Sequence, residues 1–268
     1  MGVKRPIITF TTDFGTLDGY VGAVWGVILS ICPQARILNL SHDIPAQDIA
    51  HAAFLLHNAA RFYPKGTYHL AVVDPGVGTT RRGICVVTDG YVFIGPDNGI
   101  FTPFIKEDTE VYALENREFF REIVSNTFHG RDIFAPVTAH LARGLPPSDF
   151  GPRIKDPKLL PTWNNHLTDN GIEGAFVHID RFGNSMTSFT PEDLDRFEEF
   201  NIWVPDNDEA PEGVALLRTY GEAGLGEPCW LVGSAGLIEL AINGGDAAKR
   251  FSIERGDVVR IEGTLKNR

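Results

Sequence analysis

Read from its apolar positions, the first half of the chain alternates between strand and helix periods. PIITFTT (6–12) has the character of a buried strand, GYVGAVWGVILSI (19–31) that of an apolar helix, and ARILNLS (35–41) that of a second strand. In QDIAHAAFLLHNAARF (47–62), Ile49, Ala52, Ala53, Leu56 and Ala60 fall at helical spacing, and Pro64 marks the end of the helix. TYHLAVV (67–73) is a third strand. Strands alternating with helices of this length predict βαβ units and a mostly parallel sheet. GICVVTDGYVFIGP (83–96) breaks the alternation, because Asp89-Gly90 between two apolar runs signals a hairpin, so the sheet should be mixed. DIFAPVTAHLARG (132–144) predicts a further helix, with Asp132 at its start and Gly144 at its stop.

The pattern changes after Gly144. GLPPSDFGPRIKDPKLLPTW (144–163) is rich in proline and glycine, lacks periodicity, and reads as a linker. Short strand candidates follow: GAFVHID (174–180), NIWVP (201–205), VALLRTY (214–220), CWLVG (229–233), LIELAI (237–242) and DVVRIEG (257–263). Only PEDLDRF (191–197) looks helical between them, which predicts a small β-sandwich or barrel. The expected division is an α/β domain over 1–160 and a β domain over 161–268.

Composition narrows the class. With 268 residues, 43% hydrophobic and 22% charged, the chain can bury a full core. A formal net charge of -11 and the lack of a basic stretch argue against nucleic acid as partner, since such binding needs clustered Lys and Arg. The longest apolar run, YVGAVWGVILSIC, is too short for a bilayer and follows acidic DFGTLD rather than a basic leader, so neither membrane segment nor signal peptide is expected. Cys32, Cys85 and Cys229 are odd in number and far apart, which suggests neither a disulfide framework nor a zinc knuckle and makes a reducing cytoplasm the default.

Candidate chemistry collects where strands end, the place at which open α/β sheets bind ligands. Asp13 follows the first strand, His42 and Asp43 the second, and Asp74 the third. Asp13 suits either an Asx turn or a carboxylate accepting from a vicinal diol such as a ribose. In VVDPGVGTTRR (72–82), Pro75 and Gly76 tighten a turn, Gly78 lets backbone come close to a ligand, and Arg81 with Arg82 exceeds what one carboxylate needs. In TFHGRDIF (127–134), His129 precedes a helix N-terminus, whose dipole disfavours an imidazolium, while Arg131 and Asp132 can pair. IDRFGNSMTS (179–188) joins Asp180, Phe182 and Asn184 around a glycine turn; an aromatic face and an amide suit a purine, although Phe182 could equally be core. Glu239 is the only charge in LIELAI and needs a partner if that strand is buried on both faces.

P-loop, dinucleotide-fingerprint and G-x-S-x-G signatures are missing. Instead, ITFTTDFGTLDGYVG, LSHDIP, VVDPGVGTTRR, GPDNGIF, TFHGRDIFAP, IDRFGNSMTS and GSAGLIELAING together resemble the adenosine-forming S-adenosylmethionine hydrolases, also called S-adenosylmethionine hydroxide adenosyltransferases, relatives of fluorinase and chlorinase. The resemblance spans nearly the whole chain in the family's order. It implies a Rossmann-like N-terminal α/β domain, a C-terminal β-barrel, and a homotrimer with ligand between neighbouring subunits. It implies too that Asp74, Arg81 and His129 hold the attacking water. Fluorinases carry Tyr, Thr and Tyr at those positions, a serine in place of Gly130, and a tryptophan in place of Gln47. By similarity, Asp13 holds the ribose diol, and Asp18 with Asp180 the methionine ammonium. The remaining substrate contacts come from Phe182, Asn184, Ser234, Glu239 and Ile242.

Chemically, water must attack ribose C5′ as methionine departs from a sulfonium that loses its charge, so the leaving group needs no acid. No cofactor or metal is required. Arg81 can stabilise hydroxide character but not take a proton, leaving Asp74 and His129 to orient the water and share its proton. Alanine at any of the three is expected to lower turnover with folding intact. Two rivals stand beside this one. Asp13, His42, Asp43, Asp74 and His129 could ligate Mn or Zn in a phosphoesterase, or the chain could be a nucleoside-binding module with negligible turnover.

Overall fold

The central strands of the first half are buried on both faces, and helices supply the two coverings. A computed structural model of the chain describes residues 5–161, 165–205, 207–213 and 215–266. Its first compact unit, Met1–Leu160, carries strands β1 (Ile7–Thr12), β2 (Arg36–Ser41), β3 (Thr67–Val72), β4 (Gly83–Val87), β5 (Tyr91–Pro96), β6 (Glu110–Ala113) and β7 (Arg153–Ile154). They form one sheet in the order β2-β1-β3-β5-β4-β6-β7. β2, β1, β3 and β5 run parallel, while β4, β6 and β7 pair antiparallel, so the unit is α/β with a mixed sheet.

Alternation along β3 shows how the layers are built. Leu70 and Val72 join the core beneath helices α1 (Tyr20–Ile31) and α3 (Ala135–Ala142), with Val24, Ile28, Val137 and Leu141. Ala71 and Val73 point the other way, into the core beneath α2 (Ile49–Ala60), with Ala52, Leu56 and Ala60. Asp48 caps α2 by accepting from the backbone N–H of His51 at 2.9 Å. The anticipated hairpin at Asp89-Gly90 joins β4 to β5.

Two expectations change here. The segment read as a linker contributes β7, and its Leu160 N–H donates to Thr102 Oγ1 at 2.8 Å; Thr162 and Trp163 lie outside the described residues. The helix expected to start at Asp132 begins instead as a π-helical turn, Gly130–Phe134, that runs into α3, with Gly144 in the left-handed region at its end.

The second unit, Pro161–Arg268, is antiparallel. Strands β8 (His166–Leu167), β9 (Gly171–Ile179), β10 (Ser185–Thr187), β11 (Phe197–Trp203), β12 (Pro228–Val232), β13 (Ile238–Ile242) and β14 (Val258–Leu265) pair in the order β11-β14-β9-β10-β13-β12, with β8 on β9. Short helices α4 (Pro191–Leu194) and α5 (Ala247–Arg250) accompany them. Its core gathers Phe176, Phe189, Trp230, Leu240 and Ile261. VALLRTY is not a strand: Leu217 makes a single bridge to Leu231, Tyr220 opens a 3-10 turn, and Val214 lies outside the described residues.

Candidate active site

Because β1 and β3 are parallel neighbours in register, with Thr12 beside Val72, their carboxyl ends deliver Asp13 and Asp74 to the same edge of the sheet. A cavity of about 230 Å³ opens there, lined by Asp13, Phe14, Gln47, Val72, Asp74, Pro75, Val77, Thr127, Phe128, His129 and Gly130. Residues from four distant stretches of sequence therefore face one small space.

Asp74 and Arg81 close the turn after β3 as a buried ion pair, each side chain 5% exposed. Arg81 Nε donates to Asp74 Oδ1 at 3.0 Å and Arg81 Nη2 to Asp74 Oδ2, a bidentate fit of fork to carboxylate. Arg81 Nη2 also lies 3.1 Å from His129 Nδ1. A guanidinium has no lone pair to offer, so Nδ1 must be the acceptor and the ring proton sits on Nε2. Arg81 Nη1 donates to the carbonyl of Arg82 at 3.1 Å, which leaves the arginine held on all sides.

Burial pushes the Asp74 carboxyl above the usual carboxylate range, against the opposing pull of Arg81 and His129. Burial also lowers His129, and the neighbouring Arg81 charge lowers it further, outweighing Asp74 and Asp132. The ring is thus neutral, as the sequence suggested, but desolvation and the guanidinium account for it.

Arg82 does not share the site. Its Nε and Nη2 reach Asp97 Oδ2 at 3.0 and 2.8 Å, and its Nη1 reaches Asp156 Oδ1 at 3.0 Å. Gly78 likewise serves a different purpose from the one expected. It lies at φ +76°, and a Cβ there would stand 2.2 Å from the carbonyl oxygen of Asn126, so it lets the turn carrying Arg81 approach the segment carrying His129, not a ligand.

Asp13 accepts from the backbone N–H of Gln47 at 2.8 Å, and Gln47 itself adopts φ 65°. His42 is buried, with Nδ1 2.8 Å from Thr12 Oγ1, and burial lowers its pKa; Asp43 is exposed. Among the described residues, no three His, Cys, Asp or Glu side chains gather as a metal-binding group. Asp18 is exposed just ahead of α1 and does not line the cavity.

The remaining candidates belong to the second unit. Asp180 Oδ1 accepts from the N–H groups of Phe182 and Asn184 at 2.8 and 3.0 Å, and Oδ2 from Asn184 Nδ2 at 3.0 Å. Phe182 is 68% exposed and so is not core, Ser234 is exposed in the turn before β13, and Ile242 is buried in the unit's core. Glu239 is buried on β13 and has found a partner: Tyr220 Oη donates to Oε1 at 2.5 Å.

Sequence reading alone missed Phe14 and Phe128, whose rings meet edge to face at 5.8 Å in the cavity wall, and Asn98, whose Nδ2 braces the Val73 carbonyl at 2.8 Å just before Asp74. GPDNGIF held the signal for Asn98, as a polar pair inside an apolar motif.

Comparison with known proteins places the chain in a family. The family models for the SAM hydroxide adenosyltransferase N-terminal and C-terminal domains match residues 8–151 and 174–260. An (R)-S-adenosyl-L-methionine hydrolase of Thermus thermophilus is 37% identical, over 96% of this chain and 99% of the relative; one of Salinispora arenicola is 36% identical, over 96% and 98%. A fluorinase of Actinopolyspora mzabensis is 27% identical over 96% and 97%. The crystal structure of an uncharacterized conserved protein from Thermotoga maritima superimposes with a TM-score of 0.85 at 34% identity, covering 95% of this chain and 99% of that one. With both of its units matched and near-full-length relatives above 30% identity, the chain belongs to the SAM hydroxide adenosyltransferase family.

Proposed function

We propose that the protein hydrolyses S-adenosyl-L-methionine to adenosine and L-methionine, with Asp74, Arg81 and His129 holding the attacking water. The observation that carries this is that Asp74 and His129 line one cavity beyond the ends of β1 and β3 while Arg81 is hydrogen-bonded to both. The relatives named as S-adenosyl-L-methionine hydrolases support the substrate.

Proton bookkeeping assigns the roles. With His129 Nδ1 accepting from Arg81, the imidazole offers Nε2–H as a donor that orients the water oxygen. Arg81 stabilises the negative charge that grows on that oxygen. Asp74, raised in basicity by burial, takes the proton. Water then bonds to ribose C5′ while the C5′–S bond breaks, and methionine leaves with the bonding pair as a neutral thioether. Holding the water in line supplies much of the acceleration by proximity.

Asp13 is proposed for the ribose diol, with Asp18 and Asp180 on the methionine ammonium and Phe182, Asn184, Ser234, Glu239 and Ile242 completing the substrate contacts. The family resemblance further favours a cytoplasmic homotrimer with sites at subunit interfaces, built from domains 1–160 and 161–268, the second closing as a small barrel. Bridges from Ile202 to Gly213 and from Leu217 to Leu231, at the two ends of the strand order, support that closure.

The test is incubation with S-adenosyl-L-methionine, with and without chelator, followed by chromatography. Equimolar adenosine and methionine, insensitive to chelator, is the expected result. Chelator-sensitive turnover would favour the metal reading, and tight adenosine binding without methionine release the binding-module reading.

A further inference from the structure

The side chain of Asp132 is completely buried, yet no step above uses it. Its carboxylate accepts from Arg131 Nε at 2.7 Å and Nη2 at 2.8 Å, from Arg121 Nη1 at 3.2 Å, and from the backbone N–H of Ser125 at 2.9 Å. The backbone of Asp132 continues the tie, donating to the Phe128 carbonyl at 3.1 Å and accepting from the Arg121 N–H at 2.9 Å. Every one of these partners lies within residues 121–131, the segment that presents His129. Residues 121–124 are all exposed, with Ile123 82% so, and apolar burial does not fix that stretch. Charge-assisted bonds in a buried setting are the strong ones, and here they hold the segment on both sides of His129.

We propose that Asp132 is a positioning residue for the hydrolytic reaction: by gathering N–H donors from before and after His129, it holds the imidazole Nδ1 within hydrogen-bond reach of Arg81 without touching substrate. The proposal rests on the hydrolase assignment above. Asp132→Asn keeps the shape but removes the charge and part of the accepting capacity. Turnover should fall about 10- to 100-fold, as displacements of order 1 Å do, while KM for S-adenosyl-L-methionine stays within about threefold. In a His129→Ala background the same substitution should cost little more, because an absent ring cannot be misplaced; a purely structural role gives equal losses in both backgrounds. The His129 Nδ1 resonance, followed by 15N NMR, should move in Asp132→Asn as its bond to Arg81 is lost. If Asp132→Asn does not fold, Arg121→Met, at a half-exposed side chain that supplies one donor, should give the same pattern at smaller size. Wild-type turnover in Asp132→Asn, equal losses in both backgrounds, or an unmoved Nδ1 resonance would overturn the proposal. A wild-type protein that releases no adenosine would instead remove the hydrolase assignment, with the NMR result still decisive for the role of Asp132.

Discussion

Arg81 Nη2 serves two acceptors at once, Asp74 Oδ2 and His129 Nδ1, the latter at 3.1 Å. The second contact exists only while His129 is neutral, since a protonated ring would lose its acceptor and set two cations against each other. Burial and Arg81 hold its pKa below 6.5, so kcat/KM for adenosine release should be flat just above pH 6.5 and fall only below it. Asp74, raised above 3.8, adds a second protonation that steepens the fall at lower pH. A pH profile with an acidic midpoint above 6.5 would contradict the lowering of the His129 pKa by burial and Arg81.

The Asp74–Arg81 pair also alters what its removal should do. Both side chains are 5% exposed, and deleting one partner of a buried ion pair costs about 3–5 kcal/mol because the other charge is stranded. Asp74→Ala should therefore lose stability as well as turnover. His129→Ala removes one acceptor and should cost about 1 kcal/mol. Urea midpoints measured beside kcat decide it: the two variants unfolding together would show that the ion pair is not effectively buried.

Gly78 and Gly76 occupy the same turn but differ in what surrounds them. A methyl at Gly78 meets the Asn126 carbonyl at 2.2 Å and a backbone at φ +76°, whereas one at Gly76 meets nothing closer than 3.6 Å. Gly78→Ala should cost about 1–3 kcal/mol and reduce kcat by parting Arg81 from His129, while Gly76→Ala should leave the unfolding midpoint near that of the parent. Equal midpoints would mean that the turn and the 125–129 segment are not packed as described.

What the sequence makes legible is local. β1 and β3 are β-prone runs, buried on both faces, that are followed by a carboxylate, so Asp13 and Asp74 announce both the strand ends and the site. β6 and β7 do not, because EVYA and RI have too few residues for a period, and their pairing comes from partners far along the chain. Asp132 reads as a helix cap by position; nothing near it tells that Arg121 and Ser125 fold back onto its carboxylate. Arg82 looks like a second site arginine until Asp97 and Asp156, 15 and 74 residues away, are seen to hold it.

Glu239 carries the last prediction. It is 1% exposed, and burial raises its carboxyl above 4.5, with nearby Asp180 adding to the rise and the Tyr220 hydrogen bond opposing it. The folded chain therefore holds this proton more tightly than the unfolded chain. The stabilisation that follows is complete below pH 4.5 and is lost as pH climbs through the raised value. Glu239→Gln has no such proton to lose and still offers Tyr220 an acceptor oxygen. Its unfolding free energy should gain on that of the parent by up to about 1.4 kcal/mol per pH unit within that window. Paired urea titrations from below pH 4.5 to neutrality measure the gap. A gap constant with pH would mean that Glu239 is as readily ionised in the folded protein as in the unfolded chain.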